Sequence, residues 1–309
     1  MTPVAMSMLS VLANKYPIEN SPGLISALEQ KAAAALKDVD VMADKQQAVE
    51  RLTFVYALSC GLLRRFGSKK AEGLLKLIRD GPAHPVVGKE LAQRLEMLVA
   101  PQTFLTKDNY AVVKPLWMQR VYFELVGPML QAATGSNADV TDPLIKTNYS
   151  LGVILMLRHM SYSIYEADAE KVLRIAISTA QSLGTGPEVL AALDALQNIL
   201  LEAPEKGQDH LRSIVNICVR SFTGQTAPTQ RPEWLPAGYA PSTVDQEVQA
   251  GCGKLALEIA GVLPRMYEAR RLVSFLPQVE RELTMACGHG VRDLRRLARL
   301  ARQAWAGLK

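Results

Sequence analysis

Paired amphipathic helices are the feature of this sequence that most restricts the folds open to it. Apolar residues recur three or four positions apart through long stretches, the spacing that places them on one face of an α-helix. In the second half these stretches form neighbouring pairs, at residues 166–183 with 188–204, 208–222 with 242–264, and 275–286 with 289–309. Successive pairs begin roughly 40–60 residues apart, the range of two-helix solenoid repeats. The sequence therefore predicts stacked helix pairs.

The first half carries the same helical periodicity and no convincing alternating strand. Helices are predicted at residues 23–39, 46–66, 70–78, 85–99, 114–133 and 143–160, with a bend at Gly127-Pro128. Such helix pairs bury their apolar faces only by stacking on neighbouring pairs. We therefore expect an all-α fold, a right-handed α-solenoid that forms a single domain over residues 1–309.

A proline-rich stretch at residues 223–243 breaks this pattern. It lies between the two helices of one pair, where solenoids place insertions. The simplest interpretation is a surface loop. A second interpretation stays open, in which the stretch is a recognition segment whose Trp234 and Tyr239 contact the solenoid or a partner.

The charge of the chain is concentrated at its C-terminal end. The whole chain has 35 basic and 30 acidic residues, a net charge of +5, and residues 291–309 alone hold six basic residues against one acid. The rest of the chain therefore contains 29 basic and 29 acidic residues and has no net charge. A global surface for polyanions is not indicated, because the excess positive charge belongs to one helix.

The spacing of reactive side chains argues against a catalytic, metal or cofactor site. No CxxC pair occurs, and the cysteines closest in sequence, Cys218 and Cys252, are 34 positions apart. We expect Cys60, Cys218, Cys252 and Cys287 to be buried thiols in a reducing compartment. The histidines lack metalloenzyme spacings, and no phosphate-binding glycine loop or nucleophile elbow is present. Without a signal peptide or a long apolar run, the sequence predicts a soluble intracellular protein.

The last helix has the pattern of the second helix of a HEAT repeat. A short polar turn precedes Val291-Arg292, and the small residues Ala298, Ala301 and Ala304 follow. Small residues allow close helix packing, so the predicted array is of HEAT type. Core positions are expected every third residue, at Val291, Leu294, Leu297 and Leu300. The arginines are expected to share the opposite face.

Four stretches, at residues 57–78, 117–131, 190–204 and 275–305, resemble the C-terminal region of the MMS-nineteen family in the same order along the chain. These are HEAT-repeat proteins of cytosolic iron–sulfur assembly. The most specific of the four is LAALDALQNILLEAP, residues 190–204. The proline-rich stretch has no counterpart in the family pattern, and the turn before the last helix departs from it.

The resemblance implies a non-catalytic scaffold, the C-terminal domain of a longer protein of the cytoplasm and nucleus. Such scaffolds dock a β-propeller subunit and a MIP-type subunit, in a complex that delivers clusters to apo-proteins of DNA repair, replication and transcription. For this chain we expect no cofactor of its own and no membrane contact. The expected partner-binding residues are Arg292, Arg295, Arg296, Arg299, Arg302 and Trp305.

Several alternatives stay open at this stage. Arg292 could hold the adjacent turn by hydrogen bonds instead, and Trp305 could be a packing anchor. The chain could also be a HEAT adaptor of another assembly, for instance in trafficking or transport. A nucleic-acid-binding module is disfavoured, because the basic face lacks interleaved aromatic residues.

Overall fold

The computed structural model describes residues 2–15, 23–37, 39, 45–66, 71–135, 140–182, 186–224 and 245–308. All regular secondary structure within these residues is helical, with no strand among them. The chain divides into two compact units, Met1–Tyr165 and Glu166–Lys309. Neighbouring helices pack in pairs within each unit, which confirms the predicted all-α solenoid class. The single domain and the right-handed path concern the chain as a whole and stay predictions.

The first unit is built around the long helix α3. Its helices are α1 (Pro3–Lys15), α2 (Gly23–Lys37), α3 (Lys45–Phe66), α4 (Glu72–Asp80), α5 (Gly88–Arg94), α6 (Glu96–Val99), α7 (Trp117–Val121), α8 (Gly127–Ala133), α9 (Pro143–Leu157) and α10 (Tyr162–Tyr165). Helical periodicity predicts most of these helices but not α1. Helix α1 packs against α3. The Ser10 hydroxyl donates to the carbonyl oxygen of Ala57 at 2.7 Å across this contact.

A π-helical turn over Tyr122–Val126 joins α7 to α8. It lies just before Pro128, where the sequence predicts a bend. Proline has no N–H to donate, and its ring clashes with the carbonyl four residues earlier in an α-helix. A wider turn before the proline relieves that conflict. An irregularity thus lies beside the predicted position, with a π-helical form that is seen only in the structure, and the bend itself stays a prediction.

The second unit contains the three helix pairs predicted from the sequence. Its helices are α11 (Ala169–Ser182), α12 (Pro187–Glu202), α13 (Pro204–Gly207), α14 (Leu211–Thr223), α15 (Gln246–Met266), α16 (Ala269–Leu272), α17 (Leu276–Ala286) and α18 (Arg292–Ala306). Helix α11 packs on α12, α14 on α15, and α17 on α18, which confirms the pairing. Helix α15 also packs on α12 and α18. It is therefore the central helix of the unit.

The proline-rich stretch at 223–243 lies almost wholly outside the described residues, as do Trp234 and Tyr239. Thr223 ends α14, and Gly224 follows in the left-handed region with φ 69°. The chain is described again from Asp245, whose side chain accepts a hydrogen bond from the Glu247 N–H at 3.0 Å and caps α15.

Candidate docking surface

Helix α18 is strongly amphipathic, and four of its residues anchor it in the second unit. Leu294, Ala298, Ala301 and Trp305 are buried. Their spacing of three or four residues keeps them on one face, because an α-helix turns once in about 3.6 residues. This face packs on α15 and α17. The charged residues of α18 are consequently directed away from the core.

Small residues allow α15 and α18 to approach closely, as the sequence predicts. A methyl group added at Gly261 of α15 would lie 3.6 Å from the Cα of Ala301. One added at Gly253 would lie 3.6 Å from the side chain of Leu294. The contact therefore brings backbone near backbone at Gly261, and fills the space over Gly253 with a leucine.

Trp305 belongs to the core and not to the surface. Its side chain is fully buried, and its indole N–H donates to the carbonyl oxygen of Ala260 in α15 at 2.7 Å. A buried indole N–H needs such a partner. The structure therefore gives Trp305 the packing role that the sequence left open, and we exclude it from the candidate surface.

The leucines predicted for the core of α18 do not all lie there. Leu294 is buried and Leu297 half-buried, whereas Val291 is 44% and Leu300 57% exposed. The expectation was wrong for Val291 and Leu300. A step of six residues turns about 120° around an α-helix, so residues spaced by three drift off one face. Leu300 is instead part of the exposed surface.

The five arginines of α18 do not occupy equivalent positions. Arg292, Arg296, Arg299 and Arg302 are exposed, and Arg295 is half-buried. A cleft of about 470 Å³ is lined by Arg292, Arg295, Arg296 and Arg299, together with Leu300 and Gln303. Arg302 is not part of its lining. The structure thus brings four of the five predicted arginines together.

Arg295 is held by the turn that precedes α18. Its Nη1 donates to the carbonyl oxygens of His289 and Gly290, each at 2.8 Å. The sequence left this turn-holding role open for Arg292, and the structure assigns it to Arg295. The side chain of Arg295 therefore both lines the cleft and fixes the entry to the helix.

The exposed arginines have no acidic partner within the described part of the chain. No ion pair there involves Arg292, Arg296, Arg299 or Arg302. By contrast, Arg281 of α17 lies 2.7 Å from a carboxylate oxygen of Glu282. The positive charge of α18 is thus available to an external acidic group.

An apolar groove lies beside the arginine cleft, and the sequence analysis did not find it. It measures about 630 Å³ between α12, α15 and α18. Leu201, Val262, Leu297 and Leu300 are among its lining residues. Leu300 and Gln303 line both features. Only tertiary packing brings α12 beside α18, so the periodicity of a single helix could not reveal the groove.

The four cysteines do not line the arginine cleft or the groove. All four cysteines are free, and Cys287 alone of them is not fully buried. Within the described residues, no three histidines, cysteines or carboxylates cluster in a way that could hold a metal ion. Among the same residues, no helix has the length and apolarity required to cross a membrane.

A comparison with protein families identifies the chain. A family model described as "RNAPII transcription regulator C-terminal", MMS19_C, matches residues 3–231 of the 309. The chain belongs to this family. No curated protein was found to match it.

The MMS19 C-terminal match supports the resemblance seen in the sequence and also limits it. Three of the four similar stretches, at residues 57–78, 117–131 and 190–204, lie within the matched range. The match ends before α15, α17 and α18. The arginine cleft therefore lies beyond the part of the chain that the MMS19 family model covers.

Proposed function

We propose that this chain is the docking region of a non-catalytic scaffold in the cytosolic iron–sulfur protein targeting complex. The observation that carries the proposal is the MMS19 C-terminal match over residues 3–231. The proposed partners are a β-propeller subunit and a MIP-type subunit. The proposal includes delivery of clusters to apo-proteins of DNA repair, replication and transcription, in the cytoplasm and nucleus.

The geometry of α18 supports a docking role. Arginine forks pair bidentately with carboxylates and favour a defined orientation of the partner. Apolar surface beside them supplies affinity, while charges at the rim mainly accelerate association. The arginine cleft and the adjoining groove combine these two elements on one surface. A protein partner with acidic and apolar groups is therefore the best fit.

The arginines divide into three roles in this proposal. Arg292, Arg296 and Arg299 are placed to contact the partner directly, because they are exposed and line the cleft. Arg295 supports them by holding the preceding turn. Arg302 is exposed outside the cleft and contributes to the general positive potential.

Co-elution tests the proposal directly. The purified chain is mixed with the β-propeller and MIP-type subunits and separated by size-exclusion chromatography at physiological salt. The proposal predicts one peak that contains all three proteins. Absence of the chain from the peak of either subunit would contradict it and favour the alternative, a HEAT adaptor of another assembly.

A nucleic-acid-binding function is the competing candidate, and the row of arginines is the observation that favours it. When a protein binds nucleic acid through its phosphates, the logarithm of the binding constant falls linearly with the logarithm of the salt concentration. A titration of double-stranded DNA at several salt concentrations therefore distinguishes the two. DNA affinity that falls steeply with salt in the wild type, and that is abolished in Arg295→Ala/Arg299→Ala, would favour a nucleic-acid-binding function. Among the described residues, no aromatic side chain lines the cleft or the groove, which argues against stacking of bases.

A further inference from the structure

The groove and the cleft form one continuous surface with two chemistries. They share Leu300 and Gln303, so a ligand in the groove lies directly beside the arginines. Here "α18 surface" means the groove between α12, α15 and α18 together with the arginine cleft. Its two chemistries restrict what can bind there.

The groove exposes large apolar side chains that the fold itself does not cover within the described residues. Leu201 is 53% and Leu300 57% exposed, and they line the groove from α12 and α18 respectively. Val262 adds a half-buried apolar side chain from α15 between them. Contiguous exposed apolar surface in a folded unit is typical of an interaction site. We therefore expect an apolar ligand surface here.

The charged side chains around the groove favour a ligand of opposite charge. Glu258 lies in the groove, but its carboxylate accepts from the Gln197 amide at 3.3 Å and lies 4.0 Å from the Lys254 ammonium. Among the described residues, no carboxylate forms an ion pair with Arg292, Arg296 or Arg299 of the cleft. A ligand with carboxylates along one edge would neutralise them, so charge complementarity favours an acidic ligand.

The walls of the groove also restrict the backbone of the ligand. They consist of side chains from three helices, and the described part of the chain has no strand edge that could pair with an extended peptide. An α-helix, which satisfies its own backbone hydrogen bonds, therefore fits these walls best. The lining residues of α15 run from Leu257 to Arg265. The eight steps between these two residues rise about 12 Å, enough for roughly two turns of a ligand helix.

We propose that the α18 surface binds an acidic amphipathic helix of a partner protein. The apolar face of that helix occupies the groove, with apolar residues at positions i, i+3 or i+4, and i+7. Aspartate or glutamate residues on the adjacent face pair with Arg296 and Arg299. This inference rests on the proposed function only in taking the partner to be a protein, and it specifies the chemistry of that partner.

Selection from a peptide library tests the proposal and does not require the partner to be identified first. The probe is a phage-displayed library of helix-forming peptides about 18 residues long, about 27 Å as a helix. The whole chain is the bait. The expected binders carry apolar residues at helical spacing and a net negative charge. Their affinity for Leu300→Asn and Arg299→Glu falls at least tenfold, or about 1.4 kcal/mol.

Two matched variants control for the loss of an apolar or a basic side chain elsewhere. Met285→Asn removes a side chain that is 69% exposed on α17, and Arg212→Glu reverses an exposed charge on α14. Neither residue lines the groove or the cleft. Both variants are expected to bind the selected peptides within about twofold of the wild type. Circular dichroism confirms that all four variants keep their helical content.

Three results would overturn the proposal. One is selection of no peptide, or of binders without acidic residues. Another is binding that Leu300→Asn and Arg299→Glu leave unchanged. The third is peptide binding by Trp234→Ala but not by the wild type, since the chain's own proline-rich segment would then be the occupant of the groove. Co-elution with the two targeting subunits that survives Leu300→Asn would count against this helix site alone and leave the proposed function standing.

Discussion

Arg295 and Arg299 lie one turn apart on the same helix, yet they have different physical roles. Arg295 donates two hydrogen bonds to the carbonyl oxygens of the turn before α18. Arg299 is exposed and lines the arginine cleft. Both residues have the same helical spacing in the sequence, so periodicity does not distinguish them. Hydrogen bonds to a turn depend on side-chain geometry, which periodicity does not encode.

This difference predicts unequal effects of alanine substitution on stability. Arg295→Ala removes two hydrogen bonds from a charged donor, and we expect it to lower the free energy of unfolding by about 1–3 kcal/mol. Arg299→Ala removes an exposed side chain and is expected to change it by less than about 0.5 kcal/mol. Urea unfolding followed by circular dichroism measures both. Equal destabilisation by the two variants would contradict the role given to Arg295.

At the scale of single elements, α1 and α3 pack closely in the first unit. A methyl group added at Gly61 of α3 would lie only 1.9 Å from the carbonyl oxygen of Ser10 in α1. The Asn14 amide of α1 donates to the carbonyl oxygen of Gly61 at 3.0 Å beside that contact. Glycine is required at this position because any larger residue would push the two backbones apart.

We therefore expect Gly61→Ala to destabilise the chain by at least about 2 kcal/mol, through strain between α1 and α3. Gly23→Ala is the matched control, because a methyl group there would meet nothing within 4 Å at the start of α2. It is expected to be neutral or slightly stabilising, since alanine is the better helix former. Thermal unfolding compares the two variants. A Gly61→Ala protein as stable as wild type would show that the α1–α3 contact is looser than described.

The helices themselves were largely predictable from the sequence. Which residues of each helix are buried was harder to predict. Helical periodicity located the pairs α11–α12, α14–α15 and α17–α18, because each helix carries its own apolar stripe. It failed for α1, and it misplaced Val291 and Leu300. It also left Trp305 undecided. Leu300 was misplaced because a three-residue spacing drifts around an α-helix. The burial of Trp305 depends instead on the neighbouring helix that covers it, which is set by tertiary packing.

At the scale of the whole molecule, each of the two units has its own buried core. Three of the four thiols belong to the interior: Cys60, Cys218 and Cys252 are buried, and Cys287 is half-buried. Burial raises the pKa of the Cys60 thiol, and raises that of Cys218 to about 12. A raised pKa keeps the thiol protonated, and only the thiolate is a strong nucleophile.

The chain should therefore react unevenly with iodoacetamide. At a pH well below the pKa of about 12, the folded protein is expected to leave Cys218 unmodified and to label Cys287 first. Peptide mass spectrometry after short exposure measures each site, and labelling in urea provides the reference for full reactivity. Labelling of Cys218 as fast as Cys287 in the folded protein would contradict the burial described.

The central claim is that the exposed arginines of α18 form a docking edge for protein partners. Its most direct test is the affinity of the chain for the β-propeller and MIP-type subunits together, measured by titration calorimetry. Arg296→Glu/Arg299→Glu is compared with Arg174→Glu/Arg212→Glu, which reverses two exposed charges on α11 and α14 of the same unit. We predict that the α18 variant weakens binding at least tenfold, about 1.4 kcal/mol, while the control stays within about twofold of wild type. Equal affinity of the α18 variant and the wild type would contradict the account.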